Sequence, residues 1–132
     1  MKFMVCYDGS EAAKSALKVA HKDAKGSEVT LEVVNTITRE LPLKPSKIQE
    51  KEEDLKREVM DLLGDGIVPY ETQVLLTSLT SGEQLIDFAQ DEKVERIYIG
   101  IIKKSKVDKL IFGSTAQYVI FHAPCPVVTV KK

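Results

Sequence analysis

The sequence predicts an α/β fold: a three-layer α/β/α sandwich around a five-stranded parallel sheet. Short runs of β-branched and other apolar residues alternate with segments of helical periodicity, which requires crossover helices between parallel strands. Turn or cap residues such as Asp8-Gly9-Ser10, Gly26 and Gly64 punctuate the runs. At 132 residues, the chain is long enough to bury one core, and no change of composition, repeat or low-complexity segment calls for a second domain. One domain is expected over residues 1–132.

Phe3 to Tyr7 reads as a strand buried on both faces, closed by the Asp8-Gly9-Ser10 turn. Ala13, Ala16, Leu17, Ala20 and Ala24 then recur at helical spacing until Gly26. Val29 to Val34 gives the second strand, and Asn35 to Pro45, with two prolines, the longest loop. Ser46-Lys-Ile-Gln49 has the form of a capping box, and Ile48, Leu55, Val59 and Leu62 continue one helical face. The opposite face, with Glu50 to Asp54, reads as a solvated surface.

Tyr70 to Leu76 supplies the third strand. Ser81-Gly-Glu-Gln84 repeats the capping-box pattern before Leu85, Ile86, Phe88 and Ala89. Ile97-Tyr-Ile99 is a fourth strand closing on Gly100, followed by a basic loop, Lys103 to Lys109. Ser114-Thr-Ala-Gln117 opens a short helix with Val119 and Ile120 inward, and Pro124 and Pro126 force the chain out of it. Val127 to Val130 is the fifth strand.

Composition narrows the function. The formal net charge is −1, from 19 basic and 20 acidic residues, so no global positive field gathers nucleic acid or an anionic membrane. No apolar run reaches the ~20 residues of a membrane span, and Met1-Lys2-Phe3 leads into a strand rather than a signal peptide, so a cytoplasmic location is expected. Cys6 and Cys125 lack metal-ligand or C-x-x-C spacing and read as reduced, structural residues without influence on a ligand. Neither His21, His122 nor the carboxylates form a catalytic triad or dyad motif. A phosphorylation receiver would need an acidic cluster after strand one and an aspartate ending strand three, where Thr77-Ser78 stands, and a flavodoxin would need a Ser/Thr/Gly-rich loop directly after strand one, which Glu11-Ala12-Ala13 does not supply.

Open parallel sheets bind ligands beyond the carboxyl ends of their strands. Asp8 and Gly100 fall there, and Gly113-Ser114-Thr115 opens the last helix, whose free N–H groups suit an anion. Asp8-Gly9-Ser10 serves equally as a turn with a helix cap, and the Ser114 hydroxyl either caps its own helix or meets a phosphate.

Val5-Cys-Tyr-Asp8-Gly-Ser10, then Ile99-Gly100-x-x-Lys103, nine residues, Gly113-Ser114, and finally His122-Ala-Pro-Cys-Pro-Val-Val128 resemble the universal stress protein family over the whole chain. The resemblance implies the adenine nucleotide alpha hydrolase-like fold with strand order 3-2-1-4-5. It implies ATP or another adenine nucleotide, with magnesium: Asp8 on ribose, the end of strand two near Val34 on adenine, and Gly100, Gly113, Ser114 and Thr115 along the phosphates. Lys103 stands where nucleotide-binding members carry a second glycine. A left-handed backbone or a close phosphate at that position would make its side chain an obstruction, whereas its ammonium group could neutralise phosphate charge. The family also implies a homodimer through strand 127–130, whose apolar edge would otherwise be unpaired. The alternative is a stress protein that does not bind ATP and acts as a protein-interaction module.

Overall fold

The computed structural model describes residues 1–38, 44–64, 66–77, 79–104 and 109–132, with the backbone alone at Thr38, Thr77 and Lys104. In chain order the elements are β1 (Lys2–Cys6), α1 (Glu11–Ala24), β2 (Thr30–Thr38), α2 (Pro45–Leu63), β3 (Tyr70–Thr77) and α3 (Ser81–Asp91). They continue with β4 (Arg96–Lys104), β5 (Lys109–Ile111), α4 (Ser114–His122) and β6 (Val127–Lys131). The parallel part of the sheet runs β3-β2-β1-β4-β6, which is the expected order with β6 as its fifth strand.

Strand alternation divides the core between the two faces. Phe3, Val5, Leu31, Val33 and Tyr98 pack with Leu17 of α1 and Val59 of α2. Met4, Cys6, Val34, Ile97 and Ile99 pack with Leu85 of α3 and Val119 of α4. The buried face of α1 is mostly alanine, which lets the helix lie close to the sheet. Gly100 completes that approach: a Cβ there would stand 2.4 Å from the backbone carbon and oxygen of Ala12.

Several boundaries move. β2 runs to Thr38 instead of ending at Val34, because Asn35 to Thr38 pair with Val74 to Thr77. Residues 39–43 of the expected loop lie outside the described residues. β4 does not close at Gly100; Ile101 to Lys104 prolong it, and Ile102, Lys103 and Lys104 pair antiparallel with Ile111, Leu110 and Lys109 of β5. Part of the expected basic loop is therefore a β-hairpin, while its residues 105–108 lie outside the description. Ile120, expected inward, is exposed.

Helix starts also shift. α2 begins at Pro45 with Lys44 as N-cap and no side-chain cap bond, since a proline already has the φ and the missing donor that a first helical position wants. The box before α3 is real but starts one residue earlier: Thr80 accepts from Glu83 N–H, and Glu83 reaches back to Thr80 N–H. No helix among the described residues is long and apolar enough to cross a membrane.

Candidate functional site

The carboxyl ends of the strands are uneven, and the unevenness makes the cleft. β1 stops at Cys6 while its neighbours β2 and β4 run on to Thr38 and Lys104. The last bond between the first two strands is Tyr7 N–H to Val34 C=O, 2.9 Å. Beyond it, the edge of β2 that would face β1 is left open at Thr36. A cleft of about 500 Å³ occupies this vacated lane.

β5 sits over the same lane. Lys103 N–H donates to Lys132 C=O and Lys132 N–H to Ile101 C=O, both 3.1 Å, so Ile101 and Lys103 point their backbone groups at the β6 side. Backbone groups alternate in direction along a strand, so Ile102 points to the β1 side, where it meets Ile111 of β5. Ile102 and Ile111 thereby become part of the cleft lining.

Asp8 combines two of the expected roles. Its Oδ1 accepts Ser10 N–H at 3.0 Å, and Ser10 Oγ accepts Ala13 N–H at 3.1 Å, so the turn caps α1. Gly9 takes φ +84°, which a side chain would resist. Asp8 and Ser10 also line the cleft, leaving Asp8 Oδ2 available to a ligand.

At the other wall, the N-cap of α4 is Gly113, with no side-chain cap bond. Ser114 is the first helical residue and does not cap the helix as a capping box with Gln117 would; Gln117 N–H goes to Gly113 C=O at 3.0 Å and Gln117 Nε2 to Phe112 C=O at 2.9 Å. The first N–H groups of α4 have no intrahelical acceptor and carry the positive end of the helix dipole. Gly113, Ser114 and Thr115 all line the cleft.

Of the residues singled out in the sequence, Asp8, Val34, Gly100, Gly113, Ser114 and Thr115 come together around this one space, and Lys103 does not line it. Lys103 is exposed in the β4–β5 hairpin, opposite Leu110. Among the described residues the one non-glycine at positive φ is Lys93, so no left-handed strain acts at Lys103. Gly100 lies mid-strand, where its missing Cβ serves the contact with Ala12 as well as the cleft.

Other lining residues carried no clear sequence signal. Asn35 and Thr36 join the lining because β2 is longer than its β-branched run suggested. Tyr7 lines it too, and its hydroxyl donates to Glu58 Oε1 of α2 at 3.1 Å. Burial, then the Glu58 charge and bond, push the Tyr7 hydroxyl up to about 12. Cys6, a free cysteine, also lines the cleft. Its burial, followed by the charge of Asp8, pushes the thiol up to about 12, which suppresses the reactive thiolate.

Magnesium fits this donor set poorly. Among the described residues Asp8 is the one carboxylate lining the cleft, and they contain no group of three or more potential ligands.

Comparison with known proteins gives one consistent answer. The sequence model of the Universal stress protein family matches residues 1–131. The "Universal stress protein in QAH/OAS sulfhydrylase 3′region" of Thermus aquaticus is 33% identical over 97% of this chain and 96% of its own length. A universal stress protein structure from Archaeoglobus fulgidus superposes with a TM-score of 0.83 at 30% identity, covering 99% of this chain and 98% of the other. Another structure from Archaeoglobus fulgidus, solved in complex with dAMP, shares the fold with a TM-score of 0.78 at 24% identity, covering 99% and 98% of the two chains.

Proposed function

The chain belongs to the universal stress protein family, and from that premise we propose that its strand-end cleft binds an adenine nucleotide. One observation carries the reading: a free carboxylate oxygen on Asp8, an open strand edge at Thr36 and the uncapped start of α4 converge on a single space of about 500 Å³. That volume falls in the range of small-molecule sites.

Each part suits one part of a nucleotide. Asp8 Oδ2 accepts from ribose hydroxyls. The open edge of β2 offers backbone groups to the base, and Asn35 adds an amide beside it. Val34 contributes its apolar side chain only, because its C=O is already bonded to Tyr7 N–H. The α4 start, with the Ser114 and Thr115 hydroxyls, meets phosphate. The dAMP complex of the Archaeoglobus fulgidus protein supports the choice of ligand class. Magnesium would arrive on the phosphates rather than on protein ligands. A single-domain protein in the cytoplasm, paired through β6, goes with this reading.

Mass spectrometry of small molecules released from the protein purified without added nucleotide tests it directly, with an adenine nucleotide as the expected species. Calorimetry with Asp8→Asn adds a second check, because asparagine keeps the acceptor for Ser10 N–H but loses the charge. Affinity should fall about tenfold, or ~1.4 kcal/mol, with the fold intact. Unchanged affinity would remove Asp8 from the site. Exposed Ile120 and Phe121 on α4 favour a second reading, an interaction module without nucleotide. An empty protein that binds no adenine compound would support that one.

A further inference from the structure

Asp8 is the one formally charged side chain among the described residues that line the cleft. The other polar ones are hydroxyls, an amide and a thiol. Where a phosphate chain would continue past the start of α4, the β4–β5 hairpin presents Ile102 and Ile111, paired across the strands and 53% and 39% exposed on the cleft rim.

Resting on the nucleotide reading above, we propose that this site selects a nucleoside monophosphate and discriminates against the triphosphate. A single phosphate finds what it needs: the N–H groups of the first turn of α4, a dipole equivalent to roughly half a positive charge, and two hydroxyls. The second and third phosphates find the reverse. They add negative charge to a cleft whose lining already holds the Asp8 carboxylate, and they leave water for an isoleucine pair that offers no donor. Among the described residues no group of three or more potential ligands would hold a cation on the protein to offset them. Ile102 and Ile111, rather than Lys103, set this limit, since Lys103 lies outside the lining.

The test is calorimetry of adenosine, AMP, ADP and ATP, with and without magnesium, on the unchanged protein and on Ile111→Lys. Ile111 is a partly exposed hairpin residue, so its replacement leaves the core untouched; Ile102→Lys on the facing strand is the second variant. AMP should bind at least about tenfold more tightly than ATP, with ADP between them. Either lysine should narrow the gap between ATP and AMP by about tenfold. ATP binding as tightly as AMP in the unchanged protein overturns the selectivity while leaving the nucleotide site standing. So does a lysine that alters AMP and ATP equally. If none of the four compounds binds a protein with a native circular dichroism spectrum, the nucleotide reading itself falls, and the selectivity with it.

Discussion

Glu32, 1% exposed, lies directly opposite Glu71 in the β2–β3 ladder. Its nearest cation, Lys2 Nζ, is 3.8 Å from Oε1 and is held closer by Glu92, at 2.8 Å. Burial first, then the hydrogen bond and charge of Glu71, push Glu32 up to about 7. A proton on Glu32 makes it a donor to Glu71 instead of a buried anion beside another carboxylate. The folded value thus lies above the ordinary carboxyl value near 4.3, and the folded protein binds the extra proton between the two. This contribution to stability is complete below about pH 4.3 and is lost as pH rises through 7. Glu32→Gln, which keeps a donor without the charge, should be more stable than the parent at pH 8, on the order of 1–3 kcal/mol, and similar to it at pH 5. Urea unfolding at the two pH values decides; equal pH dependence of both proteins would show that Glu32 is not the titrating group.

Gly100 and Lys103 show what single residues reveal in a sequence. Gly100 reads as a strand-end glycine for a ligand, yet its missing Cβ is first required by Ala12, a contact between residues far apart in the chain. Gly100→Ala should push α1 from the sheet, cost about 1–3 kcal/mol and lower the melting temperature by several degrees. Lys103 reads as an obstruction in a phosphate loop, yet the backbone there is a strand. Lys103→Gly should leave nucleotide affinity within about twofold and lose ~0.5–1 kcal/mol of stability as a glycine within a strand. A marked gain in ATP affinity would return Lys103 to the site.

At the scale of elements, the helices and the parallel strands are legible, while their boundaries and the short antiparallel strand are not. The four helices follow from apolar periodicity, but the Ser-x-x-Gln pattern does not fix where a helix begins. Thr80 becomes the N-cap of α3 because it, not Ser81, holds the extended φ and ψ of that position. Ser114 falls one residue inside α4, leaving that end open toward the cleft. The two should separate on mutation. Thr80→Ala should cost about 1 kcal/mol in denaturant unfolding, whereas Ser114→Ala should barely change stability but weaken nucleotide binding. β5 escaped notice because it has three residues and begins with lysine; its partner lies across the hairpin, where periodicity gives no signal.

At the scale of the molecule, the alternation of strands and helices fixed the parallel sheet, since each helix must carry the chain back across a face. What the alternation leaves open is the sheet's outer edge. Among the described residues β6 pairs with β4 on one side only. Pro126 C=O accepts from Ile97 N–H, and Lys132 N–H and C=O both bond to β4, so Pro126, Val128, Val130 and Lys132 turn their backbone groups inward. By alternation Val127, Thr129 and Lys131 turn theirs outward, as an unpaired edge. On the preceding helix Phe121 is 87% exposed. A second copy related by a two-fold axis can pair this edge antiparallel with its own. Thr129→Pro removes an outward N–H and blocks the approach of another strand, yet breaks no bond to β4. Light scattering at micromolar concentration should therefore find a dimer for the parent and a monomer for Thr129→Pro, with matching circular dichroism. A monomeric parent would sink the pairing outright. A dimeric Thr129→Pro would move the interface away from β6, and Phe121→Lys would then ask whether the exposed face of α4 carries it.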